Sequence, residues 1–303
     1  MPTFVAFLDV LGFSSYTEED LAAAIGVLRH QQFILGEKLT NQLAYPPGIQ
    51  DDARLRQVAE AHLVNSFLHF LPCSDSTFVV SEDAGKFLRQ LSNLLIACLE
   101  LVGEAYNEPE NDARPEAVQV LDPATGRTIE ENWFPPLWSG GLAIGTFRSF
   151  RLIGIENGTQ YPVRNLAGTA VVKAVKVSST ARGPRLFCEA GFHRHFTDDI
   201  LPFFRTVTPA VTEVLWPAFK YLDGTNPRVE MNSFGDMWCP AVSLWRSKRG
   251  HRAFEHYDEY LRLLIRSLIA WGETVGMGGD AREFAQDRVR ADLGENFIAA
   301  YLD

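Results

Sequence analysis

Apolar positions in the first half of the chain follow two kinds of pattern, one typical of β-strands and the other typical of α-helices. Residues 4–10 are apolar at almost every position, which predicts a strand buried on both faces. Further strand patterns, bounded by turn residues, cover residues 63–71, 77–80, 137–144 and 184–187. Apolar residues at helical spacing predict helices over residues 21–41, 84–105 and 165–179, with a short charged helix over residues 53–61.

These elements follow one another as strand, helix, strand, strand, helix, strand. This order predicts an α+β fold built on a ferredoxin-like βαββαβ unit. A polar segment over residues 107–136 has no period and indicates an exposed insertion. We expect residues 1–190 to form the core and residues 191–303 to form a C-terminal helical elaboration packed on the same domain. The clearest helix of that elaboration covers residues 261–271.

Charge and cysteine content narrow the range of partners. The 303 residues carry a formal net charge of −10 at pH 7. This charge argues against stable binding to nucleic acid or to an anionic membrane, because both need a basic surface. The four cysteines are far apart with no CxxC pair, so neither a zinc cluster nor a disulfide scaffold is expected. No signal peptide or membrane span is recognisable, and we expect a cytoplasmic protein.

Asp9 interrupts the first apolar run, and an ionised carboxylate without a partner is costly to bury. Asp75 lies in the predicted turn between the second and third strands, a hairpin that lies beside the first strand in a ferredoxin-like sheet. The two carboxylates can therefore converge, and such a pair suits Mg²⁺ or Mn²⁺. Gly12 and Phe13 follow directly, and Gly12 permits a phosphate to approach the backbone closely. Alternatively, Asp9 caps the turn into the first helix and Asp75 is only a hairpin residue.

Four short motifs arrive in a recognisable order. They are FLDVLGF at residues 7–13, SDS at 74–76, WSGGLAIG at 138–145, and GTAVVKAVK continuing through STARGP at 168–184. Together they resemble class III nucleotidyl cyclases over residues 4–188. Within that superfamily, the first, second and fourth motifs look most similar to the bacterial Pycsar pyrimidine cyclases. Those enzymes convert UTP or CTP to cyclic UMP or cyclic CMP as an antiphage alarm.

The resemblance implies roles for the acidic pair and for one lysine. Asp9 and Asp75 would hold two divalent cations, Mn²⁺ or Mg²⁺, with the Val10 carbonyl as a further ligand. These cations would activate the ribose 3′-hydroxyl and hold the triphosphate during cyclisation. Lys176 falls where the family has an arginine that steadies the developing negative charge. A lysine does this as a point charge, without a bidentate fork.

Several positions depart from the family pattern. Val172 replaces the ribose-orienting asparagine, and the neighbouring Lys173 either substitutes for it or is solvated. Leu71 replaces the residue that reads purines. Asn165 replaces the second base-reading residue, and its carboxamide matches uracil and cytosine equally well. Only the resemblance favours uracil. Arg148 is either a triphosphate ligand or a solvated loop residue.

Each motif occurs once in the chain, whereas each active site of this family combines residues of two subunits. We therefore expect a homodimer with composite sites. The favoured hypothesis is an enzyme, a uridylate or cytidylate cyclase that releases pyrophosphate. The alternative is a catalytically silent cyclase-like module that senses a nucleotide or docks a partner. Val172 and the missing arginine at position 176 favour this alternative.

Overall fold

A computed structural model describes residues 2–41, 66–100, 116–121, 126–133, 135–180, 182–222, 226–247, 249 and 254–302. Its strands are β1 (Thr3–Val10), β2 (Phe67–Cys73), β3 (Ser76–Ser81), β4 (Glu116–Leu121), β5 (Thr128–Trp133), β6 (Trp138–Gly145), β7 (Arg148–Glu156), β8 (Thr159–Ala167), β9 (Leu186–Glu189), β10 (Phe204–Thr208) and β11 (Val211–Val214). Its α-helices are α1 (Phe13–Glu19), α2 (Leu21–Asn41), α3 (Ala84–Glu100), α4 (Thr169–Ser178), α5 (Pro227–Asn232), α6 (Phe234–Ser247), α7 (Phe254–Thr274), α8 (Gly278–Asp292) and α9 (Ile298–Leu302).

A seven-stranded sheet runs through the described residues in the order β10, β11, β9, β6, β1, β3, β2. Strand β1 pairs antiparallel with β6 on one side and with β3 on the other. Strand β3 pairs antiparallel with β2, and β6 pairs parallel with β9. Because β1 is an interior strand with helices on both faces, its side chains are apolar at nearly every position.

Alternate residues of β1 face two different layers. Phe4 and Leu8 belong to the main core, which also contains α3 and the C-terminal helices. Val5 packs on the other face of the sheet against Ala174 of α4. Because side chains alternate along a strand, Asp9 lies on the α4 face together with Val5.

Residues beyond position 190 belong to the same sheet and the same core. Strands β10 and β11 extend the sheet past β9. Trp238, Trp245 and Trp271 of α6 and α7 are almost completely buried in the main core. None of the described helices has both the length and the apolar composition needed to cross a membrane.

A buried ionic cluster joins the edge of this sheet to α7. Glu213 of β11 is fully buried, and its carboxylate pairs with Arg185 at 2.5 Å and with Arg205 at 2.7 Å. Burial alone would raise the pKa of Glu213. The hydrogen bond and charge of Arg185, with the charges of Arg266 and Arg205, hold that pKa below its usual value. The cluster therefore keeps Glu213 ionised inside the protein.

Most predicted elements are confirmed, with shifted ends. The mixed helix-and-sheet class is confirmed. The strands predicted over residues 4–10, 77–80, 137–144 and 184–187 are β1, β3, β6 and β9, and the helices predicted over 21–41 and 261–271 are α2 and part of α7. The strand predicted over 63–71 is described from Phe67 and the helix over 84–105 as far as Glu100, while the helix over 53–61 lies outside the described residues.

Two segments before α4 differ from what the sequence predicted. The segment 107–136, predicted to be an exposed insertion, contains a regular antiparallel hairpin, β4–β5, which forms a two-stranded sheet of its own. The helix predicted from residue 165 begins at Thr169, and residues 165–167 end strand β8. The hairpin β7–β8 was not expected, although its turn is the dipeptide Asn157-Gly158, with φ of 48° and 80°. Asn-Gly between β-rich segments is a strong hairpin signal, because both residues adopt positive φ readily.

Candidate active site

Asp9 sits near the C-terminal end of β1, between two serines. Its register partners are Ser76 of β3 and Ser139 of β6. The Ser76 hydroxyl donates a 2.6 Å hydrogen bond to Oδ1 of Asp9. The apolar strand therefore carries its carboxylate at the one row where both neighbouring strands present hydroxyl groups.

The charge of Asp9 is unfavourable in this half-buried place. Burial raises the pKa of Asp9, the Ser76 hydrogen bond lowers it, and the nearby charge of Asp75 raises it again, with a net upward shift. Ser76 alone does not offset the cost of holding the carboxylate ionised. A cation beside the carboxylate would remove that cost.

Asp75 occupies the turn between β2 and β3, at the same end of the sheet. Ser74 supplies the positive φ of 61° that the tight turn needs. The backbone N–H of Val10 donates a 3.0 Å hydrogen bond to the Asp75 carbonyl, which fixes the turn against the end of β1. The structure thus brings Asp9 and Asp75 together, and the charge of one carboxylate acts on the other.

The donor set at this place fits a hard divalent cation. Within the described part of the chain, no cluster of three or more His, Cys, Asp or Glu side chains could hold a metal ion. Mg²⁺, however, is commonly held by only one or two carboxylates, with waters and substrate phosphates completing the shell. Val10 can contribute only its backbone carbonyl, because its side chain has no ligand atom. Asp9, Asp75 and that carbonyl therefore match a hard cation whose remaining ligands come from outside the protein.

Gly12 and Phe13 form the link from β1 into α1. Gly12 has φ 77° and ψ 7°, a left-handed conformation that favours glycine. The side chain of Phe13 is half-buried and packs against the main core.

The three candidate residues on α4 differ in their surroundings. The buried face of the helix consists of Ala170, Ala174 and Val177. Lys176 lies in the last turn with its side chain exposed to solvent. Lys173 forms a 2.7 Å ion pair with Glu189 of β9, so it has a structural partner inside the chain. Val172 points outward and is 68% exposed.

Leu71 and Asn165 lie on different sheets. Leu71 is in β2, opposite Phe78 of β3. The ring centroid of Phe78 lies 5.1 Å from that of Phe7 in β1. The neighbours of Leu71 across the sheet are therefore apolar. Asn165 is exposed in β8, opposite Phe150. Its side-chain oxygen accepts a 2.9 Å hydrogen bond from the backbone N–H of Leu166.

Arg148 lies far from the acidic pair within one chain. It begins β7, next to Thr3 at the start of β1, and both residues line one cavity. Asp9 is six residue steps along the strand from Thr3, a distance of about 20 Å. Neither Arg148 nor Lys176 has a hydrogen bond or ion pair to Asp9 or Asp75 within the described residues. A single chain therefore does not bring all the predicted site residues together.

Sequence reasoning missed the serines that flank Asp9. Ser76 was part of the quoted SDS motif, but its hydrogen bond to Asp9 depends on the register of β3 against β1. Ser139 lies in the quoted motif at 138–145 and faces Asp9 from β6. Strand pairing across long stretches of chain decides both contacts, so no local signal identifies them.

Solved structures similar to this one include guanylyl cyclase domains. The guanylyl cyclase Cya2 is 14% identical, with a TM-score of 0.39, covering 71% of this chain and 92% of that one. The guanylate cyclase domain of RhGC from Catenaria anguillulae, solved in complex with GTP, is 11% identical, with a TM-score of 0.38, covering 70% and 95%. No family model and no curated protein matches the sequence. At such identities and scores the likeness assigns no activity to this chain.

Proposed function

We propose that the protein is a class III nucleotide cyclase, which converts UTP or CTP to the 3′,5′-cyclic monophosphate and pyrophosphate. The observation that carries the proposal is the acidic pair at one end of β1. There the charge of Asp75 contributes to the raised pKa of the half-buried Asp9. Two carboxylates in such a place are unfavourable unless a proton or a cation neutralises them. The pair therefore favours a cation-dependent function over a purely structural one.

The strand order supports a ferredoxin-like arrangement of this core. Strands β6, β1, β3 and β2 lie side by side, and every neighbouring pair is antiparallel. The fourth, first, third and second strands of a βαββαβ unit would lie in this order. In such a unit the turn between the second and third strands lies beside the end of the first strand. The fold thus accounts for the approach of Asp75 to Asp9.

The proposed reaction needs positioning and charge neutralisation more than covalent help. Divalent cations held by Asp9, Asp75 and the Val10 carbonyl would lower the pKa of the ribose 3′-hydroxyl and neutralise the triphosphate. Ser76 orients the Asp9 carboxylate through its hydrogen bond. Lys176 of a second copy supplies positive charge at the α-phosphate oxygens. The 3′-hydroxyl gives its proton to water, and its oxygen bonds to the α-phosphorus as the bond to pyrophosphate breaks, which closes the ring.

We infer that two copies of the chain form the active sites. Asp9 and Asp75 lie together, whereas among the described residues no hydrogen bond or ion pair joins Lys176 or Asn165 to either carboxylate. Those surfaces also carry exposed apolar side chains: Val172 and Val175 on α4, and Phe150, Leu152 and Tyr161 on the face of the β7–β8 hairpin that carries Asn165. Exposed apolar patches of this kind mark interaction surfaces. A two-fold dimer that covers them would supply the missing half of each site.

The base preference rests on two positions. Leu71 offers no hydrogen bond, which removes a polar contact to a purine, and Asn165 offers a donor and an acceptor to a pyrimidine edge. The carboxamide suits uracil and cytosine alike, and the motif resemblance favours uracil. The proposed role of the product as an antiphage second messenger rests on that resemblance alone.

A product assay tests the proposal. The purified protein is incubated with each of the four ribonucleoside triphosphates and Mn²⁺, and the products are separated by mass. We expect a cyclic pyrimidine monophosphate, and a loss of about 100-fold or more in Asp9→Asn and Asp75→Asn. Asp198→Asn, which removes an exposed carboxylate elsewhere, is the matched control. A cyclic purine product overturns the base assignment, and equal activity in all variants overturns the site.

A catalytically silent sensor is the second candidate. Lys173 is engaged in an ion pair with Glu189, and the side chain of Val172 has no polar group. Neither residue therefore replaces the ribose-orienting asparagine. Saturable binding of a nucleoside triphosphate without any product, measured on the same preparation, would establish the sensor and exclude the enzyme.

A further inference from the structure

A polar cavity lies at the opposite end of β1 from the acidic pair. Its volume is about 410 Å³, and it lies between the ends of β2 and β3 and the base of the β7–β8 hairpin. Thr3 and Val80 form part of its wall, and Arg148, Arg151 and Arg164 line it. The cavity is about 20 Å from Asp9 along the strand.

Two of these arginines face each other directly across the hairpin. Arg151 of β7 and Arg164 of β8 are register partners, so their side chains lie on the same face of the antiparallel pair. Like charges directly opposite each other destabilise a hairpin. The arrangement is therefore unfavourable in the absence of a negative partner.

No carboxylate neutralises this charge among the described residues. Arg148, Arg151 and Arg164 form no ion pair in that part of the chain. Glu82 also lines the cavity and sets one negative charge against the two positive charges of Arg151 and Arg164. The lining therefore keeps a net positive charge.

The remaining wall offers hydrogen bonds and a ring. His69 and Phe147 pack with their ring centroids 5.3 Å apart, and both line the cavity beside Ser149. Burial and the charge of Arg164 lower the pKa of His69, which favours its neutral imidazole. A neutral imidazole and a hydroxyl each donate a hydrogen bond to an anion without adding charge.

We propose that this cavity binds a phosphate group, either free or carried by a nucleotide, through the guanidinium groups of Arg151 and Arg164, which lie on the same face of the hairpin. Guanidinium forks match the geometry of phosphate oxygens and give short, charge-assisted hydrogen bonds. The site is separate from the acidic pair, which suits cations rather than anions. The proposal does not depend on the cyclase reaction.

Calorimetric titration of the full chain with inorganic phosphate, pyrophosphate, UMP and uridine tests the site. We expect the phosphate-bearing probes to bind and uridine not to bind. Stronger binding of UMP than of either inorganic probe identifies a nucleotide as the ligand, and the reverse identifies free phosphate. Arg164→Ala should weaken binding at least about tenfold, close to 1.4 kcal/mol. The exposed Arg228→Ala, with the same change of charge on α5, is the matched control.

Thermal unfolding of Arg151→Thr gives a second, independent readout. Removal of one of the opposed charges should raise the unfolding temperature of the ligand-free protein, because threonine also suits a strand. The same substitution should abolish the further rise that phosphate gives the wild type. Phosphate binding that is unchanged in both cavity variants overturns the proposal. An equal loss in Arg228→Ala also overturns it, because diffuse surface charge would then explain the binding.

Discussion

Asp9 shows how one residue can be unfavourable for the fold and still be suited to chemistry. It is held in a strand that is otherwise apolar, with Ser76 as its hydrogen-bond donor and Asp75 as a nearby like charge. Desolvation and the second carboxylate both oppose its ionised form. Buried groups with perturbed pKa values and a specific charge partner are typical of functional sites.

The raised pKa of Asp9 predicts a pH-dependent gain from Asp9→Asn. An acid whose pKa is raised on folding stabilises the fold below its unfolded value of 3.8, and this stabilisation is lost as the pH rises through the raised value. The neutral variant should therefore unfold at a higher temperature than the wild type at pH 7 and show no such gain at pH 3.

Mn²⁺ provides the control for this effect. It should raise the unfolding temperature of the wild type at pH 7 and have a much smaller effect on Asp9→Asn, because a ligand that binds only the native state stabilises it. A gain from the substitution that is the same at both pH values would contradict the account of Asp9.

At the scale of elements, the contact of α4 with the sheet depends on Gly141 of β6. A Cβ atom at this position would lie 1.9 Å from the carbonyl oxygen of Ala174 and 2.8 Å from the backbone nitrogen of Ser178. Both are backbone atoms, so the helix itself would have to move. The absence of a side chain at Gly141 therefore sets how closely α4, and Lys176 with it, approaches the sheet.

Gly141→Ala should destabilise the protein by about 1–3 kcal/mol, the usual cost of overpacking a core. Urea unfolding measures the change, and Gly279→Ala is the control because nothing lies within 4 Å of its added Cβ. If the two variants lose the same stability, the close approach of α4 is not what Gly141 provides.

At the scale of the whole molecule, the proposed dimer explains why site residues are divided between two surfaces. The acidic pair lies at the end of β1, while Asn165 and Lys176 are exposed on β8 and α4 among apolar side chains. Val172, with 68% of its surface exposed in one chain, is the kind of residue that a partner would cover. An isologous dimer uses these surfaces twice and produces two equivalent sites.

Mixing two inactive variants tests the composite site. Asp75→Asn and Lys176→Ala should each have little activity alone, because each removes a different half of every site. After unfolding and refolding together in equal amounts, half of the dimers would be mixed and would hold one intact site each. Activity should recover to roughly a quarter of the wild-type value. No recovery in a mixture shown to exchange subunits would place both residues in a site within one chain.

The sequence by itself determined the local features: most strands and helices, their order in the first half of the chain, and the placement of Asp9 at a strand end and Asp75 in a turn. Apolar periodicity and turn residues encode such features over a few neighbouring positions. The turn of β7–β8 carries a local signal of the same kind, the dipeptide Asn157-Gly158.

The tertiary structure alone decided which distant residues meet. Ser76 forms a hydrogen bond with Asp9, and Glu189 forms an ion pair with Lys173. Arg148 of β7 lies beside the start of β1, away from Asp9. Strand pairing and helix packing decide all three positions. Register is set by the sum of many contacts between segments far apart in the chain, and a shift of one residue moves every side chain to the other face. The sequence therefore determines the chemistry of each side chain, whereas the assembled sheet determines which side chains it contacts.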